Sequence, residues 1–270
     1  MEMEMETRRT AKRPRKARGK PKGGKKKLHR RGVARRRPVE PSPKQLKQLA
    51  VAQLARELGI SENRARLVLD GTLSREQAVA LEALAAYKKE HDVNSELDRA
   101  FLEKQPIKIG IYGHEILEGI IEEMAPYELV FRDIQDRRHE IQKIRIKFFC
   151  DAKVDTKSLE KLIKPDEEVR ALGLGPIVAP KLRNHIKNKV LFPLMQNREV
   201  IFFTTLEGDV IRGIVEGFSR YEIRVRMKGG IPVILLRHAI YDARDKSGKI
   251  SYLKGKEPSK GEALDGEDSD

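Results

Sequence analysis

The sequence contains a single cysteine and no long apolar run, and both absences narrow the class of protein. Cys150 alone cannot form an internal disulfide framework, which fits a reducing compartment, and we predict a cytoplasmic protein. No apolar stretch approaches the roughly 18 residues that a membrane-spanning helix needs, and no signal-peptide core follows the charged start. The sequence therefore predicts no membrane-spanning segment. Contact of the basic N-terminal segment with an acidic membrane surface ranks below nucleic acid, because no apolar residues alternate with its charges to form an inserting face, and we expect no membrane partner.

The motifs of common enzymes and metalloproteins are also missing. The six histidines are scattered, no His-Glu-x-x-His pattern occurs, and Cys150 has no second cysteine with which to build a zinc site. No P-loop is present, and the Gly-Leu-Gly at 173–175 lacks the third glycine of a dinucleotide-binding fingerprint. We therefore expect a protein that is not an enzyme and has no cofactor and no metal.

Positive charge is abundant but unevenly distributed. The formal net charge is +15, and residues 1–40 contribute +13 of it through 17 Lys and Arg against four Glu. Such a segment cannot bury enough apolar surface to offset its ordering entropy, so we predict a disordered basic arm over 1–43. It would bind the phosphates of RNA or DNA, although a localisation signal or solubilising tail is the alternative. An acidic disordered tail is predicted over 253–270.

Residues 44–92 are predicted to form a helical module of three short helices. Gly59 and Gly71 are expected to end the first two helices, and Ser61 and Ser74 to cap the second and third, with Gln77 completing a capping box. The apolar face of the first helix is predicted to comprise Leu46, Leu49, Ala50, Leu54 and Leu58. The arrangement resembles a helix-turn-helix with 61–70 as recognition helix, so DNA binding stays open.

The remaining sequence contains one segment twice. LEGIIEEMAPYELVFR from Leu117 and IRGIVEGFSRYEIRVR from Ile211 have the same length, lie 94 residues apart, and share Gly, Ile, Glu, Tyr, Glu and Arg at matching positions. Both lie among strand-length runs rich in Ile, Val and Phe, and Gly119 and Gly213 fall in mid-strand, where glycine marks a sharp bend. Each region follows a predicted helix. We predict a mainly β fold with α-helices: two five-stranded bent barrels, over 93–153 and 181–252, joined by a linker over 154–180.

The second of these regions resembles the Sm-like RNA-binding family, in particular its bacterial Hfq branch. The resemblance depends on a helix followed by five short strands, on the Glu-Gly turn at 207–208, on Gly213, and on the run Arg237-His238-Ala239-Ile240, where the family has Lys-His-Ala-Ile. Tyr221 occupies the place of a phenylalanine. The resemblance covers 187–244 and, less closely, 96–152.

The resemblance implies that the second barrel binds single-stranded, uridine-rich RNA. Bases would stack on Tyr221 beside Arg220, Arg237 would contact base or phosphate, and His238 would act as a polar reader. Arg198 is a partial counterpart of the family's basic outer rim.

In the first region Tyr127 keeps the stacking position, beside Pro126 rather than an arginine. We align Ile146-Lys147-Phe148-Phe149 with the Arg-His-Ala-Ile run and expect either Lys147 or Arg137 and Arg138 to contact phosphate. The charged stretch DIQDRRHE is expected to lengthen the turn before the last strands. The first region therefore predicts phosphate binding with little discrimination between bases.

The resemblance further implies rings of six such folds, which three tandem chains would supply as a homo-oligomer. Packing of the two barrels against each other within one chain is the alternative. The implied function is that of an RNA chaperone or post-transcriptional regulator, whose arm captures a second strand, rRNA or DNA. Two other functions stay open: a DNA-associated regulator or nucleoid protein that uses 44–92 and the arm, and a structural protein of the ribosome.

Overall fold

A computed structural model describes residues 42–247. The predicted basic arm up to residue 41 and the predicted acidic tail lie outside the described residues. The chain divides into two units, Met1–Leu46 and Lys47–Asp270, and the second contains both copies of the repeated segment. Between residues 42 and 247, no helix is long and apolar enough to span a membrane.

Three helices, α1 (Pro43–Leu58), α2 (Glu62–Leu69) and α3 (Arg75–His91), come first. Gly59 and Gly71 follow α1 and α2 with φ of +63° and +73°, a left-handed backbone that favours glycine. The predicted capping box is confirmed, because Ser74 and Gln77 exchange side-chain hydrogen bonds with each other's backbone. Ser61 lies at the predicted cap of α2 without a side-chain capping bond.

The buried face of α1 differs from the predicted one. Leu46 and Leu49 are 53% and 60% exposed, so the prediction that they face the core is wrong. Ala50 is exposed as well, whereas Leu54 is buried and Leu58 half-buried, as predicted. The buried residues of α1 are Val51, Leu54 and Ala55, which share a small core with residues of α2 and α3. Only the second half of α1 therefore contributes to the packing of the three helices.

The first copy of the repeat is a helix followed by five strands. These are α4 (Glu96–Leu102), β1 (Ile107–Ile111), β2 (Glu115–Met124), β3 (Glu128–Asp133), β4 (Arg138–Gln142) and β5 (Ile146–Asp151). The connection contains α5 (Thr156–Leu162), the two-residue strand β6 (Lys164–Pro165) and α6 (Glu167–Ala171). The second copy comprises α7 (Asn188–Gln196), β7 (Val200–Thr205), β8 (Asp209–Phe218), β9 (Glu222–Met227), β10 (Pro232–Leu236) and β11 (Ile240–Arg244).

We call the two copies half 1 (96–151) and half 2 (188–244), and their sequences align without a gap. Strands β2, β3 and β4 begin 94 residues before β8, β9 and β10. Even the irregularities repeat: the β2–β3 pairing shifts between Ile121 and Glu123, and the β8–β9 pairing between Val215 and Gly217. The expectation that DIQDRRHE lengthens the turn in half 1 is wrong, because four residues separate β3 from β4 and also β9 from β10.

Gly119 and Gly213 lie where the long second strand of each half bends. A Cβ atom at Gly119 would lie 1.9 Å from the carbonyl oxygen of Arg132, and one at Gly213 would lie 2.4 Å from that of Arg226. The backbones of neighbouring strands approach too closely for any side chain, as predicted for a mid-strand glycine.

The strands form one continuous antiparallel sheet rather than two closed barrels. Its order is β11-β7-β8-β9-β10-β5-β1-β2-β3-β4, and β6 pairs with β8. The halves join where β10 pairs with β5, with Ile234 opposite Phe149 and Leu235 opposite Phe148. Each half also sends a side chain into the other's core: Phe148 belongs to the cluster of half 2, and Leu236 to that of half 1.

The predicted class, mainly β with α-helices, is confirmed as a mixture of helix and antiparallel sheet. The sheet does not close, and within each half its five strands follow the same order. Because β5 and β10 pair with each other, β4 and β11 are left at the two ends of the sheet.

Candidate functional site

Tyr221 and Tyr127 are exposed at equivalent places in the two halves. Tyr221 is 63% exposed and Tyr127 is 84% exposed, each immediately before the third strand of its half. The carbonyl oxygen of Tyr221 accepts the N–H of Arg237 at 2.9 Å, and that of Tyr127 accepts the N–H of Lys143 at 2.8 Å. Backbone bonds therefore hold both tyrosines while their rings face solvent.

Arg220 adds a positive charge to the second tyrosine. Its guanidinium carbon lies 5.4 Å from the centroid of the Tyr221 ring, within the range of a cation–π contact. The backbone N–H of Arg220 donates to the carbonyl oxygen of Asp92, which follows α3. An exposed aromatic ring and an exposed guanidinium thus lie side by side on a fixed backbone.

Arg237, the predicted base or phosphate contact, is engaged within the protein. Its guanidinium donates to the carbonyl oxygen of Ile186 at 3.1 Å and to the side-chain oxygen of Asn188 at 2.9 Å. It also lies 5.5 Å from the ring centroid of Phe218. Burial lowers the pKa of Arg237 to about 10, which leaves it charged at neutral pH. The guanidinium connects the start of α7 to the turn that carries it.

His238, the predicted polar reader, lies at the contact between the halves. Its Nε2 is 3.0 Å from the carbonyl oxygen of Ile146, at the start of β5. Burial lowers the pKa of His238 to about 4, so the ring is neutral at neutral pH and Nε2–H is the donor. The Nε2–H of His238 is therefore already used in a hydrogen bond to the backbone.

The structure assigns different counterparts to these residues in half 1. The 3-10 turn Arg237–Ala239 before β11 corresponds to the 3-10 turn Lys143–Arg145 before β5. The alignment with Ile146-Lys147-Phe148-Phe149 is therefore wrong by three residues, and Lys143 takes the place of Arg237. The constant separation of 94 residues was the signal in the sequence that identifies Lys143.

Lys147 cannot reach a phosphate as placed. Its side chain is 1% exposed, and its ammonium lies 2.6 Å from Oδ2 of Asp209 and forms a second ion pair with Glu207. A phosphate contact would require both carboxylates to be displaced, so the prediction that Lys147 binds phosphate is wrong. The residue joins β5 of half 1 to the β7–β8 turn of half 2.

The same cluster contains the one group of potential metal ligands in the described part of the chain. Ligand atoms of His114, Glu207 and Asp209 lie within 4.8 Å of one another. The Lys147 ammonium already contacts both carboxylates and supplies the positive charge that a cation would bring. The neighbouring Tyr112 hydroxyl is buried without a partner, and burial raises the pKa of Tyr112 above its usual value. We interpret this cluster as an ion-pair network between the halves.

Arg198 is exposed just after α7. It has a φ of +53°, unusual for a residue with a side chain, and its counterpart Lys104 has a φ of +49°. Arg198 lines a shallow groove together with Arg226, which pairs with Glu216. Each half therefore presents a cation at the end of its helix.

Glu222, a residue that the sequence did not single out, joins the halves next to Tyr221. Its carboxylate accepts hydrogen bonds from the hydroxyl of Ser95 at 2.9 Å and from the N–H groups of Glu96 and Leu97 at 2.7 and 3.2 Å. It thereby caps α4 of the other half. Burial, opposed by the hydrogen bonds from Leu97 and Ser95, raises the pKa of Glu222 to about 7.

No match was found when the chain was compared with known protein families, with curated proteins and with solved structures.

Proposed function

We propose that the protein binds single-stranded RNA, preferentially uridine-rich, and acts as an RNA chaperone or post-transcriptional regulator. The observation that carries the proposal is the solvent-facing ring of Tyr221 with the Arg220 guanidinium 5.4 Å from its centroid. A base stacked on such a ring gains roughly 1–3 kcal/mol, and a guanidinium beside it supplies planar, charge-assisted hydrogen bonds. Arg237 and His238 act by holding this surface together.

The repetition of the tyrosine supports a strand as ligand rather than a single nucleotide. Tyr127 offers a second ring. Its carbonyl oxygen accepts the N–H of a basic residue, Lys143, just as that of Tyr221 accepts the N–H of Arg237. Two stacking platforms in one chain suit consecutive stretches of the same RNA. The cationic arm, rich in Lys and Arg, would add contacts to phosphates that weaken with salt.

An Sm-like fold and association of copies are parts of the same proposal. Each half is a bent five-stranded antiparallel sheet that follows a helix, the arrangement that the resemblance implies. Strands β4 and β11 lie at the two ends of the sheet, and an open edge strand can pair with another chain. Pairing at β11 would first displace the Asn184 side chain, which donates to the carbonyl oxygen of Tyr241 at 2.6 Å. A head-to-tail contact repeated around an axis closes into a ring, and three chains would provide six halves.

The proposal is tested by measuring how the full chain binds labelled oligouridylate, oligoadenylate and duplex DNA at one fixed salt concentration. We expect oligouridylate to bind best. Tyr221→Ala should weaken its binding by roughly 1–3 kcal/mol without unfolding the protein.

Leu182→Ala is the matched control, since Leu182 is also exposed, at 72%. Unchanged binding by Tyr221→Ala would refute the proposal. Preferential binding of duplex DNA, insensitive to Tyr221, would instead favour the DNA-associated regulator.

A further inference from the structure

The loop of half 2 that carries Tyr221 is bonded to residues outside that half. The Tyr87 hydroxyl, near the end of α3, donates to the carbonyl oxygen of Phe218 at 3.1 Å and accepts the N–H of Phe218 at 2.8 Å. The N–H of Arg220 donates to the first carbonyl oxygen beyond α3 at 3.2 Å. Glu222 accepts three hydrogen bonds from the start of α4. Bonds at residues 218, 220 and 222 therefore hold the loop on both sides of Tyr221.

Packing fixes the ring of Tyr87 and with it the position of the hydroxyl. The ring centroid lies 4.7 Å from that of Phe218 and 5.6 Å from that of Phe192, which belongs to α7. The ring of His91, one turn later in α3, lies 4.4 Å away. Gly217 leaves room for the hydroxyl oxygen, because a Cβ atom there would lie only 3.3 Å from it. An aromatic cluster between α3, α7 and β8 therefore positions the group that bonds the loop.

The corresponding loop of half 1, residues 124–128, is not held in this way. Both loops close with the same turn, in which a backbone N–H donates to the carbonyl oxygen three residues later at 2.9 Å. In the described part of the chain, however, no residue of an α-helix forms a hydrogen bond with the loop of half 1. The counterpart of Phe192 is Asp98, which offers no aromatic contact. The counterpart of Gly217 is Glu123, which has a side chain where Gly217 has none.

We propose that Tyr87 is a positioning residue for RNA binding, which holds the loop of Tyr221 in the geometry that receives a base. A loop that is already ordered does not lose conformational freedom when RNA binds, whereas a site that is formed only part of the time binds more weakly in proportion. Half 2 is therefore the tighter of the two RNA sites in the chain. The three helices before half 1 contribute to this site without contacting RNA. The inference rests on the proposed function and names the residue that makes the halves unequal.

The test measures binding at each tyrosine separately. Oligouridylate that contains photoreactive 4-thiouridine is titrated into the full chain and crosslinked, and mass spectrometry gives the RNA concentration that half-saturates the adducts at Tyr221 and at Tyr127. In the wild type, we expect Tyr221 to saturate at the lower concentration. Tyr87→Phe keeps the ring but removes the hydroxyl, and should raise that concentration about fivefold, the equivalent of one net hydrogen bond. The value for Tyr127 should not change, whereas a general loss of stability would raise both.

A second variant approaches the same contact from the other side. The methyl group of Gly217→Ala would lie 3.3 Å from the hydroxyl oxygen of Tyr87 and displace it, so this change alone should also weaken binding at Tyr221. Added to Tyr87→Phe, it should have little further effect, because the oxygen that it meets is gone. Tyr241→Phe, which removes a hydroxyl from β11 of the same half, is the matched control and should leave both sites unchanged.

Amide hydrogen exchange without RNA separates this inference from the proposed function. In Tyr87→Phe the amides of Phe218 and Arg220 should exchange faster, while that of Ala125 in half 1 should not change. If exchange is unchanged, or if it rises while binding at Tyr221 stays as in the wild type, the positioning role is refuted and RNA binding stands. If the wild type binds no oligouridylate at either tyrosine, the proposed function and the role of Tyr87 in it are both refuted. Equal half-saturation at the two tyrosines of the wild type would overturn the ranking of the halves.

Discussion

Arg237 donates its backbone N–H to the carbonyl oxygen of Tyr221, and the same bond joins Lys143 to Tyr127 in half 1. The residue that follows the fourth strand thus fixes the loop before the third strand. In half 2 the side chain of Arg237 is turned away from solvent, toward Ile186, Asn188 and Phe218. A positioning task for Arg237 and a binding task for Arg220 follow from this arrangement.

The first prediction separates these two tasks by replacing each arginine with lysine. Arg237→Lys keeps the charge but loses the two-pronged contact with Ile186 and Asn188, so the free energy of unfolding should fall by roughly 1–3 kcal/mol. Arg220 is exposed, and Arg220→Lys should change stability by less than about 0.5 kcal/mol. Urea unfolding measures both.

RNA binding should respond in the opposite order. Arg220→Lys should weaken oligouridylate binding, because a lysine loses the planar contact beside a stacked base. Arg237→Lys should bind nearly as the wild type at temperatures where it is folded. A larger loss of binding for Arg237→Lys than for Arg220→Lys would return Arg237 to the role of a direct contact.

The second prediction concerns the ion pairs of Lys147. Asp209 also contacts the His114 ring at 3.2 Å and the Arg170 guanidinium at 3.5 Å. Lys147→Met removes the ammonium that pairs with both Glu207 and Asp209, and the loss of one partner from a buried ion pair typically costs about 3–5 kcal/mol. The free energy of unfolding should fall by this order, with oligouridylate affinity unchanged in the folded variant.

Lys153→Met is the control, since Lys153 is exposed nearby on the chain and should tolerate the change. Adding Glu207→Gln and Asp209→Asn to Lys147→Met should restore part of the stability, because no unpaired carboxylate then remains. A stable Lys147→Met protein with weakened RNA binding would contradict the structural role.

The third prediction tests the bend of the long strands. In Gly119→Ala and Gly213→Ala the new methyl group would meet a backbone carbonyl oxygen, which cannot move aside as a side chain can. We expect each to destabilise the protein by about 2 kcal/mol or more. Gly175→Ala, with no atom within 4 Å of its Cβ, should leave the melting temperature unchanged or raise it slightly. Equal melting temperatures for all three variants would show that the strands relax at no cost.

Features that depend on local sequence could be predicted. The duplication is visible in the sequence itself, and Gly119 and Gly213 could be assigned to bends because a glycine inside an apolar strand usually marks a bend or a close backbone approach. The Ser74–Gln77 capping box needs only residues three apart. In each case the determining contact lies within one element or between adjacent strands.

Features that depend on contact between the halves could not be predicted. Lys147 is a basic residue, as a phosphate ligand would be. Its place in β5 gives no sign of its partners Glu207 and Asp209, which lie 60 or more residues later in the sequence. In the sequence, Glu222 cannot be distinguished from an ordinary strand residue. Its role as a cap depends on α4 of the other half, which packs against it only in the folded chain. Likewise Leu46 and Leu49 fit the helical period but lie beyond the part of α1 that packs on α2 and α3.

The fourth prediction uses the protonation of Glu222. Burial raises its pKa from 4.5 in the unfolded chain to about 7, so the folded protein binds more protons between these values. The contribution of this group to the free energy of unfolding is full below about pH 4.5 and is lost as the pH rises through about 7. The glutamine in Glu222→Gln does not titrate, so this variant does not lose stability from position 222 as the pH rises.

The stability of the wild type relative to Glu222→Gln should therefore decline by roughly 1–3 kcal/mol between pH 4.5 and pH 8, as measured by urea unfolding at intervals of one pH unit. The control is Glu160→Gln, at an exposed residue of α5, which should leave the pH dependence of the wild type unchanged. Parallel curves for wild type and Glu222→Gln would mean that the carboxylate is fully compensated by the donors of α4. The contact between the halves would then be insensitive to pH.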